Sequence, residues 1–156
     1  MSLDELYQTV ILEHYRKPRN QGEMKDATVK VHGDNPMCGD EITLYLKLDA
    51  DRKVEGISFT GQGCAISVAS ASMMTAKVKG KPVEEVEKLL QSFHDMIVGD
   101  PQPAELDPKL GEVKLLAGVR HFPPRVKCAT LAWHALRQAI AGGQQTFTLE
   151  PDSPDL

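Results

Sequence analysis

Three cysteines and one neighbouring aspartate have side chains that suit a metal centre. They lie in three short motifs, Asn-Pro-Met-Cys-Gly-Asp at 35–40, Gly-Gln-Gly-Cys-Ala-Ile-Ser at 61–67 and Arg-Val-Lys-Cys-Ala at 125–129. Cys64 lies 26 positions after Cys38, and Cys128 lies 64 positions after Cys64. Each motif contains or follows glycine or proline, which mark the turns where a fold can bring distant side chains together. Cys38, Asp40, Cys64 and Cys128 therefore form a candidate metal site.

The donor set limits which metal this site can hold. Three thiolates and one carboxylate are sufficient for a tetrahedral zinc ion or for one iron–sulfur cluster, and composition alone does not choose between them. With zinc the site has a net charge of about −2. Arg125 and Lys127 beside Cys128 could offset that charge, and the alternative interpretation is that both are solvated loop cations.

Such a site is either a closed structural centre or a reactive one. Bound metal holds thiols as thiolates at neutral pH, and the thiolate is the species that attacks a sulfur–sulfur bond. Gly39 allows a turn tight enough for Cys38 and Asp40 to reach one ion. Because the motifs are glycine-rich turns, we expect the site to lie at the surface, and this location favours reactivity.

The overall composition argues against several other functions. The chain of 156 residues has a net charge of −4, so it lacks the clustered positive charge that nucleic acid or anionic lipid attracts. The N-terminus is acidic where a signal peptide is basic, and no apolar run reaches the roughly 18 residues of a membrane span. We therefore expect a cytoplasmic protein without nucleic-acid or membrane partners. An odd number of cysteines in the reducing compartment that we expect disfavours a disulfide framework. The chain has no Cys-x-x-Cys pair, so a thioredoxin-like redox motif is also absent.

Alternating hydrophobicity predicts a small sheet beside the motifs. The strand with the clearest alternation has four apolar residues at every second position, Ile42, Leu44, Leu46 and Leu48, which is typical of one buried face. A turn at 49–52 returns the chain through 54–60, and a short strand is expected near 28–31. The prediction is a three-stranded antiparallel sheet with Cys38, Asp40 and Cys64 at one end.

Helical patterns flank this sheet. We expect an N-terminal helix that stops before Pro18, a helix at 66–79, another after Pro82, and a C-terminal helix that ends at 142–143. An acidic, proline-rich stretch at about 99–120 is interpreted as a surface insertion, and the chain at 121–125 as extended. The fold class is thus α+β with helices packed on one face of the sheet, in a single domain at 1–143. Residues 144–156 are expected to be a disordered tail.

The three motifs, in this order, resemble those of the U-type iron–sulfur cluster assembly proteins, the IscU/NifU N-terminal family, over about residues 1–142. Within that family the chain is most similar to the SufU branch. Lys127 stands before Cys128 where IscU scaffolds carry a histidine of the cluster site. The insertion at about 99–120 is a second point of similarity to the SufU branch.

This resemblance implies a function. A SufU-like protein is a zinc-dependent sulfurtransferase that accepts persulfide sulfur from a SufS-type cysteine desulfurase and passes it to downstream Suf scaffold proteins. By the resemblance, Cys38 is the sulfur-accepting nucleophile and also a zinc ligand, together with Asp40, Cys64 and Cys128. The alternative is a scaffold on which an iron–sulfur cluster is transiently built on the same ligands.

Overall fold

Most of the chain forms regular secondary structure. The computed structural model describes residues 3–99, 106–142, 145–151 and 153. These residues include four α-helices, α1 (Leu3–Arg16), α2 (Ala65–Val78), α3 (Val83–Val98) and α4 (Val126–Ala141). They also include four strands, β1 (Val29–Asn35), β2 (Asp40–Leu48), β3 (Val54–Gln62) and β4 (Thr146–Thr148). The class is α+β, as predicted. None of the described helices combines the length and the apolar character that a bilayer crossing demands.

The strands form one mixed sheet in the order β3–β2–β1–β4. β1, β2 and β3 make the predicted antiparallel meander. β4 pairs with the other edge of β1 and runs parallel to it. The prediction of a three-stranded antiparallel sheet is therefore wrong in the number of strands and in the direction of one of them.

The fourth strand lies in the segment for which the sequence predicts disorder, so that prediction is wrong for Thr146–Thr148. Backbone hydrogen bonds flank this strand at both ends, from His32 N to Gln145 O and from Leu149 N to Asp34 O, each at 2.8 Å, and the Phe147 ring packs over Gly33. Three strand residues are too few to show a periodic pattern, and their partner strand is distant in sequence. Residues 143, 144, 152 and 154–156 lie outside the described part of the chain.

Helices cover one face of the sheet. The side chains on this face are apolar and buried: Val31, Ile42, Leu44, Leu46, Ile57 and Phe59. α2 and α4 pack on this face, α1 packs on α2, and α3 packs on α4. Ser70 Oγ of α2 donates to Ala129 O of α4 at 2.6 Å and accepts from Trp133 Nε1 at 3.1 Å. These buried bonds fix α2 relative to α4, and the two helices carry Cys64 and Cys128 at their N-terminal ends.

The segment between α3 and α4 is more regular than the sequence suggests. Pro108–His121 forms helical turns of the 3-10 type that are interrupted at Gly111, where φ is 57°. A 3-10 turn at Pro123–Arg125 replaces the predicted extended chain, because proline favours the first turn of a helix. Residues 100–105 of the expected insertion lie outside the described residues. The surface insertion and the single-domain boundary at 1–143 stay predictions.

Candidate metal centre

A tight turn between β1 and β2 presents the first two candidate ligands. Asn35, the last residue of β1, pairs with Asp40, the first residue of β2, and Cys38 N donates to Asn35 O at 3.2 Å. Gly39 has a φ of 71°, a left-handed conformation that side chains with a Cβ rarely adopt. The turn therefore depends on this glycine, as the sequence predicts, and it places Cys38 and Asp40 beside each other.

The helix α4 brings the third candidate ligand to this turn. One ligand atom from each of Cys38, Asp40 and Cys128 lies within 4.8 Å of the other two. Asp40 is 2% exposed and Cys128 is 0% exposed, whereas Cys38 is partly exposed. The structure thus brings together residues from the first and third sequence motifs, about 90 positions apart, at the boundary between core and solvent.

Cys64 lies at the N-terminal end of α2 and contacts the same cluster through Cys128. The Cys64 sulfur accepts a hydrogen bond from the Cys128 thiol, and with the backbone amides of Ser67 and Ile66 this bond lowers the pKa of Cys64 to about 6. The same bond and burial raise the pKa of Cys128. The backbone amides of a helix N-terminus stabilise a thiolate in this way. Cys64 therefore adjoins the cluster through Cys128, but it is not one of the residues whose ligand atoms all lie within 4.8 Å of one another.

Hydrogen bonds hold the Asp40 carboxylate in one orientation. Cys64 N donates to Asp40 Oδ1 at 2.9 Å. A Cβ on Gly63 would lie 2.5 Å from that oxygen, so only glycine allows the backbone to approach this closely. The second motif thus contributes a backbone donor and a glycine as well as Cys64.

Asn35 is a site residue that the sequence reasoning did not single out. Its side chain is fully buried, and its Nδ2 donates to Asp40 Oδ2 at 3.3 Å and contacts Cys128 Sγ at 3.9 Å. Groups that orient metal ligands by hydrogen bonds tune the affinity of a site. The sequence feature that could have identified Asn35 is its place in the first motif, five positions before Asp40.

The two basic residues near Cys128 have different surroundings. The Arg125 guanidinium hydrogen-bonds with Cys128, and this bond and the charges of Cys64, Cys128 and Cys38 raise its pKa. Lys127 Nζ donates to Ser153 O at 2.5 Å. Arg125 is therefore the cation placed to offset the negative charge of the cysteines, while the terminal amine of Lys127 contacts the C-terminal segment.

The donor chemistry fits a zinc ion. Zinc binds thiolate sulfur at about 2.3 Å and carboxylate oxygen at about 2.0–2.2 Å in tetrahedral sites. Cys38, Asp40 and Cys128 have the required spacing to within small side-chain movements, and Cys64 is in contact with Cys128. In addition, the fixed orientation of Asp40 and the nearby Arg125 supply the second shell and the compensating charge that such a site needs.

Comparison with known proteins assigns the chain to a family. Residues 6–129 match the model of the NifU-like N terminal domain. The chain therefore belongs to the NifU-like N-terminal domain family, which confirms the resemblance inferred from the three motifs.

Individual relatives narrow the comparison. The chain is 48% identical over 140 residues to a Bacillus subtilis protein named zinc-dependent sulfurtransferase SufU. The alignment covers 90% of this chain and 92% of the relative. The chain is also 48% identical over 138 residues to the iron–sulfur cluster assembly scaffold protein IscU of Streptococcus pyogenes, covering 88% of this chain and 84% of the relative.

A solved structure supports the same fold. This structure is a candidate iron–sulfur cluster assembly scaffold protein for the SUF system from Fervidobacterium islandicum AW-1. It superimposes with a TM-score of 0.77 at 32% identity, and the match covers 84% of this chain and 93% of that chain. The overall fold is therefore shared with a structurally characterised protein.

Proposed function

We propose that this protein is a zinc-dependent sulfurtransferase of iron–sulfur cluster assembly, which accepts persulfide sulfur from a cysteine desulfurase. The observation that carries the proposal is the position of Cys38, a partly exposed thiol within 4.8 Å of Asp40 and Cys128. The 48% identity to a protein named zinc-dependent sulfurtransferase SufU supports it. We further propose that the donor is a SufS-type desulfurase and that the sulfur passes on to downstream Suf scaffold proteins.

Four side chains would hold the zinc ion: Cys38, Asp40, Cys64 and Cys128. When bound, the ion keeps these thiols in the thiolate form at neutral pH. Cys128, Cys64 and Asp40 are the fixed part of the donor set, because hydrogen bonds from Asn35, from Cys64 N and from neighbouring amides orient them. Cys38 is partly exposed, and its Sγ contacts Cys128 and, at 3.8 Å, Pro124 O.

Cys38 performs the transfer in this proposal. Its thiolate attacks the terminal sulfur of the donor persulfide, and a new sulfur–sulfur bond forms at Cys38. The sulfur–sulfur bond of the donor breaks, and the donor cysteine leaves as a thiolate. The proton on the terminal sulfur stays with it, so electrons and atoms balance without an external oxidant or reductant.

Arg125 assists this step by its charge. The attacking Cys38 thiolate and the departing donor thiolate are both negative, and the exposed Arg125 guanidinium lies among the three cysteines. A cation at this point stabilises the negative charge that moves between the two proteins.

Met37 and Phe122 are exposed apolar side chains. Met37 precedes Cys38, and Phe122 lies on the segment that leads to Arg125. The partner would therefore contact apolar surface around the thiol.

The test is a desulfurase turnover assay with stoichiometric zinc-loaded protein. Wild-type protein should stimulate cysteine turnover by a SufS-type desulfurase, and Cys38→Ala should abolish the stimulation. Ser92→Ala on α3, remote from the cysteines, serves as the control and should stimulate fully. Undiminished stimulation by Cys38→Ala would show that Cys38 is not the acceptor.

A second candidate function is a scaffold for a transient iron–sulfur cluster on the same ligands, which the similarity to the Streptococcus pyogenes scaffold protein favours. Lys127 argues against it, because a lysine before Cys128 supplies neither an imidazole nor a thiolate to a cluster, and its Nζ donates to Ser153 O. Metal analysis of protein purified without oxygen separates the two. Stoichiometric zinc supports the sulfurtransferase, and iron with labile sulfide supports the scaffold.

A further inference from the structure

A second group of metal-ligand side chains lies on the opposite face of the sheet from the cysteines. One ligand atom from each of His32, Asp34 and Glu41 lies within 4.8 Å of the other two. His32 and Asp34 are two positions apart on β1, and Glu41 follows Asp40 on β2. Because side chains alternate along a strand, Glu41 faces away from Asp40 and its thiol partners. The two groups therefore lie back to back at the same end of the sheet.

Backbone pairing fixes the relative positions of these three residues. Asp34 is the direct partner of Glu41 in the β1–β2 ladder, and His32 is the direct partner of Thr43. Directly opposed side chains lie about 4.5–5.5 Å apart at Cβ. The ligand atoms thus converge because of the strand register, and little ordering of the backbone would be needed when an ion binds.

The His32 ring is oriented in the manner of a metal ligand. Its Nδ1 lies 2.9 Å from Thr43 Oγ1, and its Nε2 lies 3.2 Å from Asp34 Oδ1. In the tautomer that a bound ion would select, Nδ1 carries the proton and donates to the Thr43 hydroxyl, and the lone pair of Nε2 points toward the carboxylates. Histidine ligands of metals are held by such a hydrogen bond at the other ring nitrogen.

The surroundings of the group add further oxygen atoms. Thr146 and Thr148 of β4 are the partners of His32 and Asp34 in the parallel ladder, so they share the same face of the sheet. Both threonines are exposed. The group therefore lies in a polar row where water or a hydroxyl can complete the coordination of an ion.

We propose that His32, Asp34 and Glu41 form a second metal site, which binds a divalent first-row transition-metal ion through one imidazole nitrogen and two carboxylate oxygens. This donor set suits harder ions than a thiolate site does, so Mn²⁺, Fe²⁺ and Zn²⁺ are its candidates. His32 and Asp34 are each more than a third exposed, which leaves coordination positions for water. An ion here would connect β1 to β2 directly behind the turn that carries Cys38.

The experiment titrates Mn²⁺ into the full-length protein whose cysteine site already holds zinc. Mn²⁺ is a hard ion that does not compete for thiolates, so it reports on the second site alone. Electron paramagnetic resonance of free Mn²⁺ gives the number of bound ions. We expect one bound equivalent, and paramagnetic broadening of amide resonances centred on His32 and Thr43.

His32→Gln and Asp34→Asn should each weaken Mn²⁺ binding by at least about tenfold. The matched control is Asp26→Asn, which removes an exposed carboxylate that pairs with Lys47 elsewhere on the sheet, and it should bind as wild type. Thermal unfolding without Mn²⁺ checks that the variants are folded. The proposal is overturned if no Mn²⁺ binds at millimolar concentration, if both variants bind as wild type, or if broadening centres elsewhere.

Discussion

Cys128 and Cys38 face each other across the candidate metal centre, but their surroundings differ greatly. Cys128 is fully buried on α4 and contacts Cys64, Asn35 and Arg125. Cys38 is partly exposed on a turn, and its sulfur contacts only Cys128 and, at 3.8 Å, the Pro124 carbonyl oxygen among the contacts of the described residues. The difference suggests a division of tasks, in which the buried thiol holds the ion and the exposed thiol reacts.

The strongest test of this division compares the two cysteines by alanine substitution. Cys128→Ala removes the donor around which the others are arranged, so we expect zinc affinity to fall by more than about 100-fold. The stabilisation that zinc adds, about 2.7 kcal/mol at 100 times Kd, is then lost as well. Competition with a chromophoric chelator and thermal unfolding measure the two effects.

Cys38→Ala is the counterpart in this comparison. It should reduce zinc affinity by a smaller factor than Cys128→Ala, because three donors remain on well-ordered elements, and yet abolish sulfur acceptance. If Cys38→Ala lost as much zinc as Cys128→Ala, the two thiols would be equivalent ligands and the division of tasks would fail.

A smaller effect is expected from Asn35→Ala, which leaves all four donors in place. The substitution removes the amide that donates to Asp40 Oδ2 and contacts Cys128. Loss of such an orienting group lowers metal affinity by about 10–100-fold. Asn20→Ala is the control, since Asn20 also donates through its side-chain amide, to Thr75 Oγ1, but far from the thiols. Equal zinc affinity in the two variants would remove Asn35 from the site.

The smallest effect concerns the turn under the exposed thiol. Gly39 and Gly80 have φ values of 71° and 84°, and among the described residues no atom lies within 4 Å of a Cβ built on either. Gly39→Ala and Gly80→Ala should therefore each cost about 1–2 kcal/mol of stability. The midpoint of thermal unfolding should fall by roughly 2–8 °C in both variants.

Only Gly39→Ala should also slow sulfur acceptance, because its turn positions Cys38. The rate of desulfurase stimulation at equal zinc occupancy measures this. A matching loss of rate in Gly80→Ala would mean that general stability, and not the turn, controls the reaction.

The sequence was sufficient for the elements with a clear local signal. The alternation at Ile42–Leu48 predicted β2, and the two flanking strands followed from the turns around it. The glycines and cysteines of the three motifs predicted which residues meet. The structure brings those residues together, although their roles as ligands remain proposals.

Features that depend on distant packing could not be obtained from the sequence. The role of Asn35 requires the β1–β2 register that sets it opposite Asp40. The hydrogen bond from Cys128 to Cys64 requires the packing of α2 on α4 through Ser70. β4 has three residues and a parallel partner, so neither its periodicity nor a hairpin turn marks it.

The two edges of the sheet have a consequence for how this protein associates with others. β4 pairs with part of the outer edge of β1. On the other edge, Gly22 N donates to Phe59 O at 2.8 Å and Phe59 N donates to Asn20 O at 3.0 Å, so part of β3 is also covered. Backbone groups paired in this way are not available to add a strand from another chain. Strand addition is therefore excluded at these paired positions, and a partner of the kind proposed above would bind to side chains around the exposed thiol, in a contact that can dissociate after transfer.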